Sequence, residues 1–221
     1  MCGRYTLYHD EEDLTSLFEV EAFPLTPRYN VAPTQQVSWV RQRPSGAREV
    51  MTGRWGFVPR WVKDPAAFRA SLINARAETA AEKPSFRDAL RHARCAIPAS
   101  GFYEWRREGV RKQPYHVIRS DGAPLLLAGL YAERPVDSGG PSAAILTCAA
   151  NERIAELHDR MPVVLDALQL ACWLDAKLDR PDEIEQLLGP CPNDVLDAYP
   201  VHPRVGNARI DDAGLVQAIH V

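Results

Sequence analysis

Apolar residues first fall at helical spacing at Leu14, Leu17 and Phe18, behind a run of acids from Asp10 to Asp13, and this predicts a short amphipathic helix over residues 10–20. The next stretch, 24–36, holds Pro24, Pro27 and Pro33 and reads as an ordered loop. Alternating or continuous apolar runs then predict strands at 37–41, 49–55, 96–105, 115–119, 125–132 and 143–148, with a strand-like segment at the N terminus. Helices are expected at 85–93, at 151–157 with Asn151 as N-cap, at 167–175, and at 182–188 behind Pro181. Strands fill the first two thirds and helices the last third, without the regular strand-helix alternation of a parallel sheet. The expected class is α+β: a single domain over residues 1–221, with a mostly antiparallel, curved or barrel-like sheet flanked by helices. Residues 135–141 (PVDSGGP) read as a hairpin loop, and the tail from Gly189, with Val201, Val205 and Ile210, as packed against the domain.

A chain of 221 residues with 46% hydrophobic content can bury a substantial core. It has no apolar run long enough to span a membrane and no charged-then-apolar leader, so a cytoplasmic location away from membranes is expected. The five cysteines show neither a C-x-x-C pair nor metal-ligand spacing, which argues against structural disulfides and against a bound metal. Cys95, Cys148 and Cys172 lie in apolar surroundings and read as core fillers. The net charge of −3 hides an asymmetry: residues 41–119 carry 17 Lys and Arg against 7 Asp and Glu, and the remainder carries 9 against 22. Fourteen of the 17 cations are arginines, whose planar fork suits phosphate oxygens. A polyanion-binding face and an ordinary solvated face fit this balance about equally.

The chemistry begins at Cys2. Removal of Met1 would leave an amine and a thiol on adjacent carbons. An aldehyde can condense with such an amine, and the thiol can then close a five-membered thiazolidine ring. The two groups ordinarily titrate near ~8 and ~8.5, so either becomes a usable nucleophile with a modest shift. Four further segments set polar groups in apolar frames: Asn30 in YNVAP; Asn74, Arg76 and Glu78, which alternate as on one face of an extended segment; Glu104 between Tyr103 and Trp105; and His158 with Arg160 in HDRMPVVL. A carboxylate among aromatic residues has its charged form disfavoured and suits proton transfer, as does histidine. A purely structural use is open to each: Asn30 and Asn74 in turns, Glu104 paired with Arg106 or Arg107 on an exposed edge, His158 as a helix C-cap, and Cys2 at a frayed terminus.

Taken together, MCGRY at 1–5, RYNVAPTQ at 28–35, RWGFVPRW at 54–61, INARAET at 73–79, IPASGFYEW at 97–105, LAGLYAE at 127–133 and HDRMPVVL at 158–165 resemble the SRAP family, the SOS-response-associated peptidases that shield abasic sites in single-stranded DNA. The resemblance implies that the Cys2 amine attacks the aldehyde of a ring-opened abasic site and that the Cys2 thiol closes a thiazolidine crosslink. By the same resemblance Glu104 shuttles protons, His158 assists sugar ring opening and crosslink reversal, and Asn74 holds the Cys2 amine or the sugar. Arg4, Arg76 and Arg160 would grip phosphates, with Asn30 beside them, while Trp55, Phe57 and Trp61 shape the strand or stack on bases, core packing being equally open to Trp55 and Trp61. The implied partner is single-stranded DNA containing abasic sites, bound by a monomer without cofactor or metal. The family is also proposed to remove its own Met1. Two other readings remain open at this level: a thiol hydrolase using Cys2, and a non-catalytic reader of modified or single-stranded DNA.

Overall fold

The computed structural model describes residues 2–68, 70–109 and 111–220. Met1, whose removal the expected chemistry requires, lies outside them. Among the described residues thirteen strands form two sheets: β1 (Tyr5–Leu7), β2 (Arg28–Val31), β3 (Gln36–Gln42), β4 (Arg48–Trp55), β5 (Asn74–Arg76), β6 (Arg94–Ala99), β7 (Gly101–Glu108), β8 (Arg111–Arg119), β9 (Leu125–Ala132), β10 (Ser142–Ala149), β11 (Arg160–Pro162), β12 (Val164–Leu165) and β13 (Leu196–Pro200). Among the described residues six α-helices accompany them: α1 (Glu11–Phe18), α2 (Ala77–Ala80), α3 (Arg87–His92), α4 (Glu152–Ala155), α5 (Ala167–Leu174) and α6 (Pro181–Glu185).

The larger sheet runs β11-β10-β4-β3-β6-β9-β12, and β10 also pairs with β9, so β10, β4, β3, β6 and β9 close into a barrel. β6 and β9 are buried along their whole length, which is why they read as near-continuous apolar runs. Closure occurs where β4 meets β10 in parallel at Ser142↔Arg54. Glycine is required there, because a Cβ on Gly53 would lie 2.4 Å from the Pro141 carbonyl oxygen. The smaller sheet, β13-β8-β7-β1-β2, is antiparallel throughout.

The chain passes from barrel to second sheet at Ser100, within what the sequence predicts as one strand over 96–105. The buried Ser100 hydroxyl accepts the Tyr8 and His9 N–H groups at 2.8 and 3.2 Å, and it lies 2.7 Å from His9 Nδ1. Gly101 follows because a Cβ there would sit 2.4 Å from His116 Nε2.

Arg94, at the start of β6, is buried and ties two helix ends together. Its guanidinium donates to the Leu90 and Arg91 carbonyls behind α3 at 2.9 and 2.8 Å, and to the Trp173 and Asp175 carbonyls behind α5 at 2.7 and 2.6 Å. These carbonyls have no partner within their helices. α4 is capped as expected, with Asn151 Oδ1 accepting the Ile154 N–H at 3.0 Å, and α5 begins with a reciprocal capping box between Asp166 and Gln169.

The tail packs as expected. β13 pairs with β8, Val201 bridges to Ala218, and Val201, Val205 and Leu215 cover Tyr103 in a second apolar cluster. The 135–141 segment links the antiparallel pair β9 and β10, as a hairpin loop should. Other expectations need correction. β2 forms inside the proline-rich stretch because Asp211, distant in sequence, accepts the Tyr29 and Asn30 N–H groups at 2.6 and 2.9 Å. The extended segment through Asn74 and Arg76 turns into α2, so Glu78 is helical and does not continue the alternation. Cys172 is exposed, since α5 buries Leu170, Trp173 and Leu174 instead.

Candidate active site

β1 pairs with β7 through Tyr5↔Phe102, and the Tyr103 N–H donates to the Arg4 carbonyl at 3.0 Å, carrying the ladder one step toward the N terminus. Cys2 therefore lies inside the protein, fully buried, rather than at a frayed end. Burial pushes its thiol far above the ordinary range, and the charge of Glu104 raises it further. The thiol is accordingly protonated at neutral pH. Tyr5 responds to the same enclosure, its hydroxyl raised by burial first and by Cys2 second, and its ring meets Trp55 edge-on at 5.3 Å.

Glu104 is buried within β7, not on an exposed edge, and stands in register with Tyr115 of β8. Asn74 reaches Cys2 from the barrel. β5 pairs in parallel with β10 at Asn74↔Ile145, and Asn74 Nδ2 donates to the Cys2 carbonyl at 2.9 Å. Its Oδ1 is buried and meets no donor among the described residues.

His158 follows α4, half-buried, with its N–H on the Ile154 carbonyl. Its Nδ1 lies 2.9 Å from the Arg160 N–H and 2.7 Å from Asp159 Oδ1. Only one of these can be a hydrogen bond in a given state. The neutral Nε2–H tautomer accepts from Arg160, and a ring protonated at Nδ1 donates to Asp159. The ring thus has two anchors suited to its two proton states.

The arginines fare differently. Arg76 is exposed. Arg160 makes a bidentate pair with Glu78 at 2.6 and 2.9 Å and donates to the Thr147 carbonyl at 2.6 Å. Hydrogen bonding from Arg160 in turn holds the Glu78 carboxyl below the usual carboxylate range. Arg4 donates to Asn30 Oδ1 at 3.0 Å and to the Val205 and Gly206 carbonyls at 3.1 and 3.3 Å. Asn30 is fully buried, and its amide also donates to the Val205, Asn207 and Ile210 carbonyls.

Asn30 and Trp55 therefore present no surface to a ligand: Asn30 fastens the tail, and Trp55 lies in the core with its Nε1 donating to the Ile73 carbonyl at 2.9 Å. Phe57 is likewise buried, against Phe86. Trp61 is 60% exposed beside a cleft of about 490 Å³ that Arg60, His92 and Tyr131 also line. Thr147 and Asp211 were not legible as site residues, because each meets its partner from a distant part of the chain. All five cysteines are free, and among the described residues no group of three or more His, Cys, Asp or Glu side chains is placed to hold a metal ion.

The arrangement brings a buried thiol, a carboxylate and an orienting amide to one N-terminal residue. Residues 1–208 match the family described as SOS response associated peptidase (SRAP). The chain belongs to this family. Among SRAP relatives it is 38% identical over 225 residues to the abasic site processing protein YoaM of Bacillus subtilis (strain 168), covering 99% of this chain and 98% of that one. It is 32% identical over 229 residues to the abasic site processing protein YedK of Escherichia coli (strain K12), covering 99% and 100%. In structure it superposes on a crystal structure of a protein from Bacteroides thetaiotaomicron with a TM-score of 0.86, at 26% identity, covering 99% of this chain and 100% of that one. No helix among the described residues is long and apolar enough to cross a membrane.

Proposed function

We propose that this chain processes abasic sites in DNA, shielding them in single strands by a covalent thiazolidine crosslink through Cys2. The observation that carries the reading is the full burial of Cys2, held through its carbonyl by the Asn74 amide and near enough to Glu104 to feel its charge. Catalysis first needs Met1 removed, by hydrolysis of the Met1–Cys2 amide, and the same site is a candidate for doing this itself. The free amine then adds to the C1 aldehyde of the ring-opened sugar, and loss of water gives an imine. The sulfur next bonds to the imine carbon while the thiol proton passes to the nitrogen, closing the ring. The net change is loss of one water.

Because burial keeps the thiol protonated, the amine opens the sequence and the thiol needs a base at closure. Glu104 fills that role and returns the proton to nitrogen. His158, with an anchor for each of two proton states, assists sugar opening and crosslink reversal. Asn74 orients Cys2, and its buried Oδ1 suits the freed amine as donor. Arg4, Arg76 and Arg160 contact phosphates and Trp61 stacks on a base. The protein acts as a monomer over residues 1–221, without cofactor, in the cytoplasm and on the nucleoid when bound to DNA.

The test mixes Met1-free protein with single-stranded DNA carrying one abasic site and reads intact mass after denaturation. The expected species weighs the sum of the parts less one water and is missing in Cys2→Ala. Cys2→Ser yields only a reversible imine, and Glu104→Gln forms the adduct about 10²–10⁴-fold more slowly. Absence of any adduct from protein shown to lack Met1 would refute the reading and make peptide cleavage the next assay.

A further inference from the structure

Side chains two residues apart on a β-strand share a face, and register partners share it with them. In the β7–β8 pair Glu104 is in register with Tyr115 and Arg106 with Gln113, so Arg106 lies on the face of Glu104, with Trp105 on the other. The packing agrees with this division. Phe102 belongs to the same apolar core as Cys2, whereas Tyr103 and Trp105 pack with the tail around Val201 and Val205. Arg106 is half-buried, and its Cζ lies 4.7 Å from the centroid of the Tyr115 ring, within cation–π range. Tyr115 is itself buried and is the diagonal neighbour of Arg106 across the pair. The cation is therefore held on the site's side of the hairpin, and at about 3.4 Å per residue it starts about 7 Å from Glu104 along β7. A phosphate adjoining a sugar bonded to Cys2 falls within the reach of such a side chain.

We infer that Arg106, held on the Tyr115 ring, is a further DNA-binding residue of the site and grips a phosphate adjoining the abasic sugar. This rests on the proposed function and adds to it a contact with the strand itself. Arginine suits the task, because a planar fork restrained by an aromatic ring loses less freedom on binding, and its five N–H donors can serve a phosphate alongside a protein partner. The contact reads no base, so it is independent of sequence. It is made before and during the reaction alike, and it therefore alters capture of the strand and leaves the maximal rate of crosslinking alone.

The experiment uses the full chain, Met1-free, and single-stranded oligonucleotides holding one tetrahydrofuran, an abasic analogue without an aldehyde. Fluorescence polarisation across a salt series then reads binding without chemistry at Cys2. Arg106→Gln should make the slope of log K against log salt shallower by about 0.7, one single-strand contact, which amounts to about fivefold weaker binding at about 0.1 M salt if the contact is worth nothing at 1 M. Arg106→Lys keeps the charge and should keep the slope. An uncharged methylphosphonate in place of the phosphate on either side of the tetrahydrofuran locates the contact. On one of the two sides wild type should lose about fivefold, and Arg106→Gln should lose nothing further. An unchanged slope in Arg106→Gln overturns the proposal even where wild type crosslinks a true abasic strand. So does an equal loss in wild type and Arg106→Gln at both methylphosphonate positions, or no loss in wild type at either. If the binding results hold while the Met1-free wild type forms no adduct, the crosslinking reading fails and the contact stands.

Discussion

Asn74 offers a separation of stability from activity that follows from its two amide atoms. Nδ2 donates to the Cys2 carbonyl at 2.9 Å, a neutral hydrogen bond with a net worth of about 1 kcal/mol. Oδ1 is buried without a donor among the described residues, and leaving such a group unsatisfied costs about 1–3 kcal/mol. Leucine has nearly the same shape and neither polar atom. Asn74→Leu leaves the buried Cys2 carbonyl without this donor, at a cost of about 1–3 kcal/mol, and recovers about 1–3, so folding stability should change by no more than about 2 kcal/mol. The crosslinking rate should fall. Loosening Cys2 by the worth of that one bond corresponds to about a fivefold slower single-turnover reaction with an abasic single strand. Urea denaturation gives the first quantity, read as a shift in midpoint at constant slope, and gel-resolved adduct formation gives the second. A destabilisation beyond about 2 kcal/mol would refute the accounting for Oδ1. An unchanged rate would refute the view that this amide positions the nucleophile.

Three further outcomes are expected. Arg94→Met removes a buried guanidinium that serves four carbonyls at two helix ends, and it should lower stability by about 3–5 kcal/mol in urea denaturation. Glu78→Gln weakens the hold on Arg160 at a stability cost below about 1 kcal/mol. It should also tighten binding of undamaged single-stranded DNA, and weaker binding would mean that Glu78 aims Arg160 rather than occupying it. Burial depresses His116 from 6.5 to about 3, so between those values the unfolded chain binds a proton that the native protein does not. Stability then falls as pH drops through this window, by up to about 1.4 kcal/mol per unit from this group. The wild type should accordingly lose stability relative to His116→Gln as pH is lowered from 6.5 toward 3, and a pH-independent difference would contradict the assignment.

Period and propensity carried the barrel. β9 and β10 are long apolar runs whose burial needs only a sheet to enter, and Asn151 sits where a cap belongs. Cys2 and Glu104 were legible because their chemistry is written in residue type and immediate neighbours. What stayed hidden depends on partners far along the chain. β2 forms where prolines argued for a loop because Asp211 supplies its acceptor. Asn30 resembled a ligand-facing amide until the tail carbonyls of Val205, Asn207 and Ile210 took its donors. The change of sheet at Ser100 is invisible in a run of buried residues on both sides, since hydrophobic pattern reports burial and not which sheet provides it.

The grip of the tail on Arg4 and Asn30 also has a temporal side. Residues 205–211, which supply the carbonyls for that grip and the Asp211 carboxylate behind it, leave the ribosome about two hundred residues after Cys2. Until they emerge, β1 and β2 lack this anchorage and the nascent N terminus is held less tightly than in the finished protein. Strands made early in translation are thus fastened only by residues made much later.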